Sequence, residues 1–251
     1  MHAMKDLPRT VSVGLTLTLL LGVVASFALT AAPASAADPN PGILPPQSHP
    51  FGRTYGEWAA AWHSWRLSVP VSVNPALDST GANCGQGQSG NVWFLHGIPA
   101  DDEGPGTRSC TVPAGKGVFL PVQNTFYYSW PTDPQEWSPE DEAYYRGEIA
   151  GALEDHGLAA SVDGDPVNDL LQYAVTSPVF RSWVPDDNLI DYWTELWLGP
   201  GLSDWAEGDL SGPHVDAGVY LMLAPLSTGA HEISISGWDG EWAGTWYLTV
   251  Q

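Results

Sequence analysis

Glycine and proline interrupt this chain so often that few long regular elements can survive. Twenty-seven glycines and 22 prolines are spread over 251 residues. From Val71 onward the apolar runs are short and bounded by these residues, as in Val92-Trp93-Phe94-Leu95 and Gly117-Val118-Phe119-Leu120-Pro121-Val122. Runs of that length suit buried strands better than helices. Asp163-Gly164 is a hairpin turn signal, and Tyr173–Phe180 reads as one strand or two. The closing segments Val219–Leu223, Gly229–Ser236 and Thr245–Val250 read as three consecutive antiparallel strands. The chain is therefore expected to be mostly β: an antiparallel β-sandwich with one or two peripheral helices and one disulfide.

Two segments break the β texture. Thr54 and Glu57 have the spacing of a capping box, in which each side chain satisfies a free backbone N–H at a helix start. Trp58, Trp62 and Trp65 follow on one helical face, and Pro70 ends the segment. That stripe is expected to pack on a sheet. A second helix is expected over 138–156, opened by Ser138-Pro139-Glu140-Asp141, with Tyr144, Ile149 and Leu153 on its buried side and Gly157 at its end. Residues 185–216 read as an acidic insertion in a single domain spanning 51–251.

The N-terminus reads as an export leader. Lys5 and Arg9 precede an apolar stretch from Val11 to Ala32, and Ala34-Ser35-Ala36 has the form of a cleavage site. Residues 1–36 are thus assigned to a signal peptide and 37–50 to a proline-rich linker that is extended and loosely packed. Secretion places the chain where thiols oxidise, so its two cysteines, Cys84 and Cys110, are expected to pair. Closing that loop stabilises the fold by roughly 3.5 kcal/mol in the chain-entropy model. No apolar run after the leader is long enough to span a bilayer.

Charge narrows the partners. The formal net charge is −21, and past residue 36 six basic residues face 28 acidic ones. Such a chain repels nucleic acid. The acidic loops offer oxygen ligands instead, and Asp186, Asp187 and Asp191 are candidate ligands for calcium. The histidines lack the H-x₃-H spacing of a zinc helix, and Gly87-Gln88-Ser89-Gly90 lacks the spacing of a serine nucleophile turn.

Several segments taken together resemble a known group. They are Tyr55-Gly56-Glu57-Trp58, Asn74-Pro75-Ala76-Leu77-Asp78, Thr80-Gly81-Ala82-Asn83-Cys84, Gly87-Gln88-Ser89-Gly90, Val92-Trp93-Phe94-Leu95 and Cys110-Thr111-Val112-Pro113-Ala114-Gly115-Lys116. This pattern resembles a family of secreted bacterial proteins found in actinobacteria and cyanobacteria. The resemblance implies a secreted protein and carries no activity with it. His63 and His96 depart from the family pattern.

The 13 tryptophans set the functional expectation. Trp238-Asp239-Gly240-Glu241-Trp242 puts two of them around a turn beside carboxylates, an arrangement suited to stacking on sugar rings. Trp238, Asp239, Glu241 and Trp242 are candidate ligand contacts. Arg108 and Lys116, two of the few cations, are candidates for an anion subsite near the disulfide. The expected function is binding of a polysaccharide or cell-wall polymer outside the cell. A carboxylate-dependent hydrolase or lyase, with a pair drawn from Glu57, Asp78, Glu195, Asp239 and Glu241, is the first alternative. A structural or interaction protein of the cell envelope is the second.

Overall fold

The structure is a computed structural model that describes residues 40, 42–97, 106–153, 157–237, 240 and 242–251. The leader, the acidic loop 100–105, Trp238, Asp239 and Glu241 lie outside the described residues.

Among the described residues ten strands form two five-stranded sheets, accompanied by three α-helices. The first sheet holds β1 (Val92–Phe94), β3 (Gly117–Tyr128), β6 (Ala174–Thr176), β7 (Phe180–Trp183) and β8 (Leu210–Leu223). Its order is β1-β3-β8-β6, with β7 also on β8. The second sheet runs β2-β10-β9-β4-β5, from β2 (Gly106–Val112), β4 (Ala159–Val162), β5 (Asp165–Pro166), β9 (Gly229–Gly237) and β10 (Trp242–Val250). Most pairs are antiparallel, but β1 joins β3 and β2 joins β10 in parallel, so both sheets are mixed. The three closing strands do not form one meander, because β8 lies in the first sheet and β9 and β10 in the second. The link Ala224–Thr228 thus carries the chain from one layer to the other.

The second sheet alternates as a half-buried sheet should: β10 reads buried at Gly244, Trp246, Leu248 and Val250 and open between. β8 is buried along almost its whole length, so both of its faces are covered. Residues directly opposite in an antiparallel pair share a face. Phe119 and Met222 are such a pair, as are Pro121 and Tyr220. Their face receives helix α1 (Tyr55–Leu67), with Tyr55 edge-on to Phe119 and Trp62 edge-on to Tyr220. The other face, carrying Val118, Leu120 and Leu221, shares a core with Ile233, Ile235, Trp246 and Leu248 of the second sheet.

The capping box of α1 forms as its sequence requires: Thr54 and Glu57 bond reciprocally. The tryptophan stripe is buried, and each indole N–H donates to a carbonyl: Trp58 to Pro50, Trp62 to Leu95 and Trp65 to Gln86. The second helix, α2 (Pro139–Gly151), has its own box through Ser138 and Asp141 but ends at Gly151, well before Gly157. Its packing face uses Ile149 and Tyr145, whereas Tyr144 is exposed. A third helix, α3 (Leu189–Leu198), arises within the acidic 185–216 segment, and residues 210–216 are the start of β8. Nor are the described residues of the proline-rich stretch loose: Ile43 bridges to Leu223, Leu44 N–H donates to the Met222 carbonyl, and Asn40 is buried.

Cys84 and Cys110 form the disulfide, with Cα atoms 5.9 Å apart. It ties the loop before β1 to β2.

Candidate binding cleft

A register shift between Pro121 and Gln123 interrupts the β3–β8 ladder. One extra residue flips the alternation of everything beyond it. Asn124, Phe126 and Tyr128 thereby face the α1 side, opposite Gly218, Asp216 and His214. The outer edge of β3 past Phe119 has no strand partner among the described residues. Along it opens a cleft of about 500 Å³. Trp193 and Trp197 of α3 and Trp242 of β10 line it, while Arg66, His96, Gln123 and Asn124 contribute its polar groups.

The tryptophan wall is ordered by helical spacing. Trp193 and Trp197 are four residues apart, and their rings stack at 5.9 Å with 2° between planes. Trp197 is 64 % exposed, whereas Trp193 continues the stack inward onto Tyr128 and Phe126. α3 is held by its cap: Asn188 Oδ1 accepts the Asp191 N–H, and Asn188 Nδ2 donates to Asp191 Oδ2.

Beneath this wall lies a polar chain with an unambiguous direction. Asp216 is fully buried and accepts from His63 Nε2–H at 2.7 Å, Asn124 Nδ2–H at 3.0 Å and Tyr220 O–H at 2.7 Å. Burial, reinforced by the Arg66 charge, lowers the His63 pKa to about 4 against the pull of Asp216. His63 is thus neutral at pH 7. With its proton on Nε2, its Nδ1 accepts from Tyr128 O–H at 2.9 Å. The Tyr128 oxygen in turn accepts from Arg66 Nη2–H. The buried cation and the buried anion are therefore joined through a tyrosine and a histidine, without touching.

Two further histidine clusters have serine neighbours, and neither activates a nucleophile. Ser211 Oγ donates to the Ser182 carbonyl, so its own proton is committed while His214 Nε2 lies 2.9 Å away. His231 Nδ1 lies 2.7 Å from Asp163, but its Nε2 is 2.9 Å from the Ser227 carbonyl and farther, 3.3 Å, from Ser227 Oγ. That imidazole is held as a double donor: the Asp163 hydrogen bond raises its pKa, and the carbonyl adds to the effect. It clasps the β8–β9 link to the β4–β5 hairpin.

Among the described residues, those singled out from sequence do not converge. Trp242 lines the cleft. Trp238, Asp239 and Glu241 lie outside the described residues. Arg108 is buried, 5.7 Å from the Trp246 ring, and donates to the Pro75 carbonyl. Lys116 donates to the Gly90 carbonyl at the β2–β3 turn. Each cation braces a loop, and they share no subsite. Asp191 has its oxygens taken by Ser203 Oγ, the Trp205 N–H and Asn188, and Asp187 accepts the Ser72 N–H. Among the described residues no group of three acidic, histidine or cysteine side chains is arranged to hold a metal ion. The residue that sequence reasoning missed is Arg66. Its signal was present: it lies four residues after Trp62, on the face of a tryptophan-rich helix.

No family model, curated protein or solved structure matches the chain.

Proposed function

We propose that this is a secreted binding module whose tryptophan-walled cleft takes a ring-bearing ligand, such as a segment of a polysaccharide or cell-wall polymer. The observation that carries the reading is the Trp193–Trp197 stack, which presents a large aromatic face at 64 % exposure on the wall of a cleft. An indole left open to water forgoes its burial energy, and flat aromatic faces bordering a concavity suit the C–H faces of sugar rings. Trp242 in the same lining offers a further aromatic contact for such a ring, with Gln123 and Asn124 as hydroxyl partners.

Titration of the purified protein with a panel of polysaccharides and peptidoglycan fragments, followed by tryptophan fluorescence, tests this. Trp197→Ala and Trp242→Ala should each weaken retention at least tenfold, with unchanged thermal stability for Trp197→Ala. Fragments released into the supernatant would instead establish the hydrolase. Unaltered binding in both variants would remove the cleft from consideration.

A further inference from the structure

Arg66 is the only lysine or arginine among the described residues that line the cleft, and its donors are not used up. The side chain is 3 % exposed. A guanidinium carries five N–H groups. Nη1 donates to His96 Nε2 at 3.1 Å and Nη2 to the Tyr128 oxygen, while Nε is buried without a partner. The group is stacked 4.7 Å from the Trp62 ring centre, 4.8 Å from Trp193 and 5.0 Å from Phe126. The ring faces hold the ion by cation–π attraction and use none of its N–H donors. Among the described residues no carboxylate lies within 4.0 Å of it. Asp216 cannot turn to serve it, because its oxygens are already engaged by His63, Asn124 and Tyr220. His96 cannot compete for charge either: its Nε2 is the acceptor, and burial holds its pKa well below the ordinary value. In the same cleft Gln123 Oε1 is also buried without a partner. Arg66 and Gln123 both line the cleft, each carries a buried atom without a partner, and such atoms mark places where a ligand supplies the missing groups.

We infer that the cleft selects a ligand bearing a carboxylate on a flat-faced ring, with the carboxylate on the rim of Arg66 and a hydroxyl or N–H donor of the ligand on Gln123 Oε1. The inference rests on the binding reading above and adds the charge of the ligand. Two sources supply this chemistry: a uronic acid residue in a polysaccharide, and a planar aromatic acid. Planar guanidinium and planar carboxylate match in two parallel hydrogen bonds, which a neutral ester cannot accept with the same strength.

The test compares matched pairs on the purified protein by tryptophan fluorescence at 0.15 M salt, where the Debye length of about 8 Å limits long-range repulsion from the acidic surface. The pairs are trigalacturonate with its methyl ester, and 2-naphthoate with its methyl ester. The acid of at least one pair should bind about tenfold or more tightly than its ester, the scale of one charge-assisted hydrogen bond. Which pair responds distinguishes the two sources. Folded Arg66→Gln should bind acid and ester alike. Should that variant fail to fold, the wild-type ratio still decides. Equal affinity for acid and ester overturns the charge assignment and leaves the binding module standing. An acid preference that persists in Arg66→Gln also overturns it, by placing the carboxylate elsewhere. No response from any of the four probes refutes the assignment for both sources; whether the cleft reading falls too is decided by the polysaccharide panel.

Discussion

Removing the Asp216 carboxylate should unravel the support of the cleft, and the cost can be worked from its partners. In Asp216→Ala, His63 Nε2–H, Asn124 Nδ2–H and Tyr220 O–H all lose their acceptor in a site with no solvent exposure at Asp216 or His63. An abandoned buried donor costs about 1–3 kcal/mol. Arg66 also loses the anion linked to it through Tyr128 and His63, and stranding one charge of a contacting buried pair, an upper bound for this indirect link, costs roughly 3–5 kcal/mol. These costs overlap, so we expect a total near the upper part of that range, about 4–5 kcal/mol. For a chain of this size that lowers Tm by roughly 8–20 °C. Asp216→Asn keeps the volume and one acceptor oxygen and should cost less. The assay is urea unfolding followed by tryptophan fluorescence, with m-values compared to detect any change in the unfolded ensemble. A double-mutant cycle with Arg66→Met asks whether the two charges feel each other through Tyr128 and His63. We expect the double mutant to lose less than the sum of the singles by about 0.5–3 kcal/mol. A loss below about 1 kcal/mol for Asp216→Ala, or additivity in the cycle within about 0.5 kcal/mol, refutes the connected chain.

Three other outcomes are expected. Gly218→Ala should destabilise by roughly 1–3 kcal/mol, because a Cβ there would meet Tyr220 Cε2 at 2.6 Å, the Gln123 carbonyl oxygen at 2.7 Å and Asn124 Cβ at 2.8 Å; a neutral result in chemical denaturation contradicts the tight packing opposite the bulge. Replacing both cysteines by serine should lower stability by about 2–4 kcal/mol without abolishing folding, since the core spans both sheets; a Tm unmoved by the change counts against this. Stability should fall as pH drops from 6.5 toward 5. His63 and His214 are held to about 4 and about 3 by burial, and His96 is also depressed, so the unfolded chain binds protons that the folded one refuses. Each such proton contributes a slope of up to about 1.4 kcal/mol per pH unit. His231 works in the opposite sense: its pKa is raised, so its contribution is full below the unfolded value and fades as pH rises through the folded one. A slope below that of one proton between pH 6 and 5 sinks the account.

The parts legible in the sequence were those decided locally. The box at Thr54 and Glu57 and the tryptophan spacing of α1 involve residues within one or two turns, and both form as read. The disulfide follows from having only two cysteines. What escaped was decided at long range. Residues 211–216 read as polar and irregular because Ser211, His214 and Asp216 are uncommon inside a sheet. They are buried because each finds a partner, in the case of Asp216 a histidine 153 positions away. The closing segments read as three consecutive antiparallel strands, and strands they are, but the link at 224–228 passes between layers, so only the last two pair with each other. α3 hid within an acidic composition, although Asn188 and Asp191 have cap spacing and Leu189, Ile190, Trp193 and Trp197 share a face. Arg108 and Lys116 drew attention as rare cations, yet a cation's role depends on what lies at its tip, and for Arg66 that was supplied by β3 and α3.

The extra residue between Pro121 and Gln123 has an evolutionary reading. Val122 is the one residue there without an opposite number on β8, because Pro121 faces Tyr220 and Gln123 already faces Val219. Deleting it would restore an unbroken ladder and leave Asn124, Phe126 and Tyr128 on their present partners, opposite Gly218, Asp216 and His214. The bulge would vanish, while the polar chain and the α1-facing side chains kept their places. The strand can thus gain or lose one codon at this point without re-aiming what lies beyond it. Sequences that share this fold are expected to differ in length by one residue here while keeping the same α1-facing set.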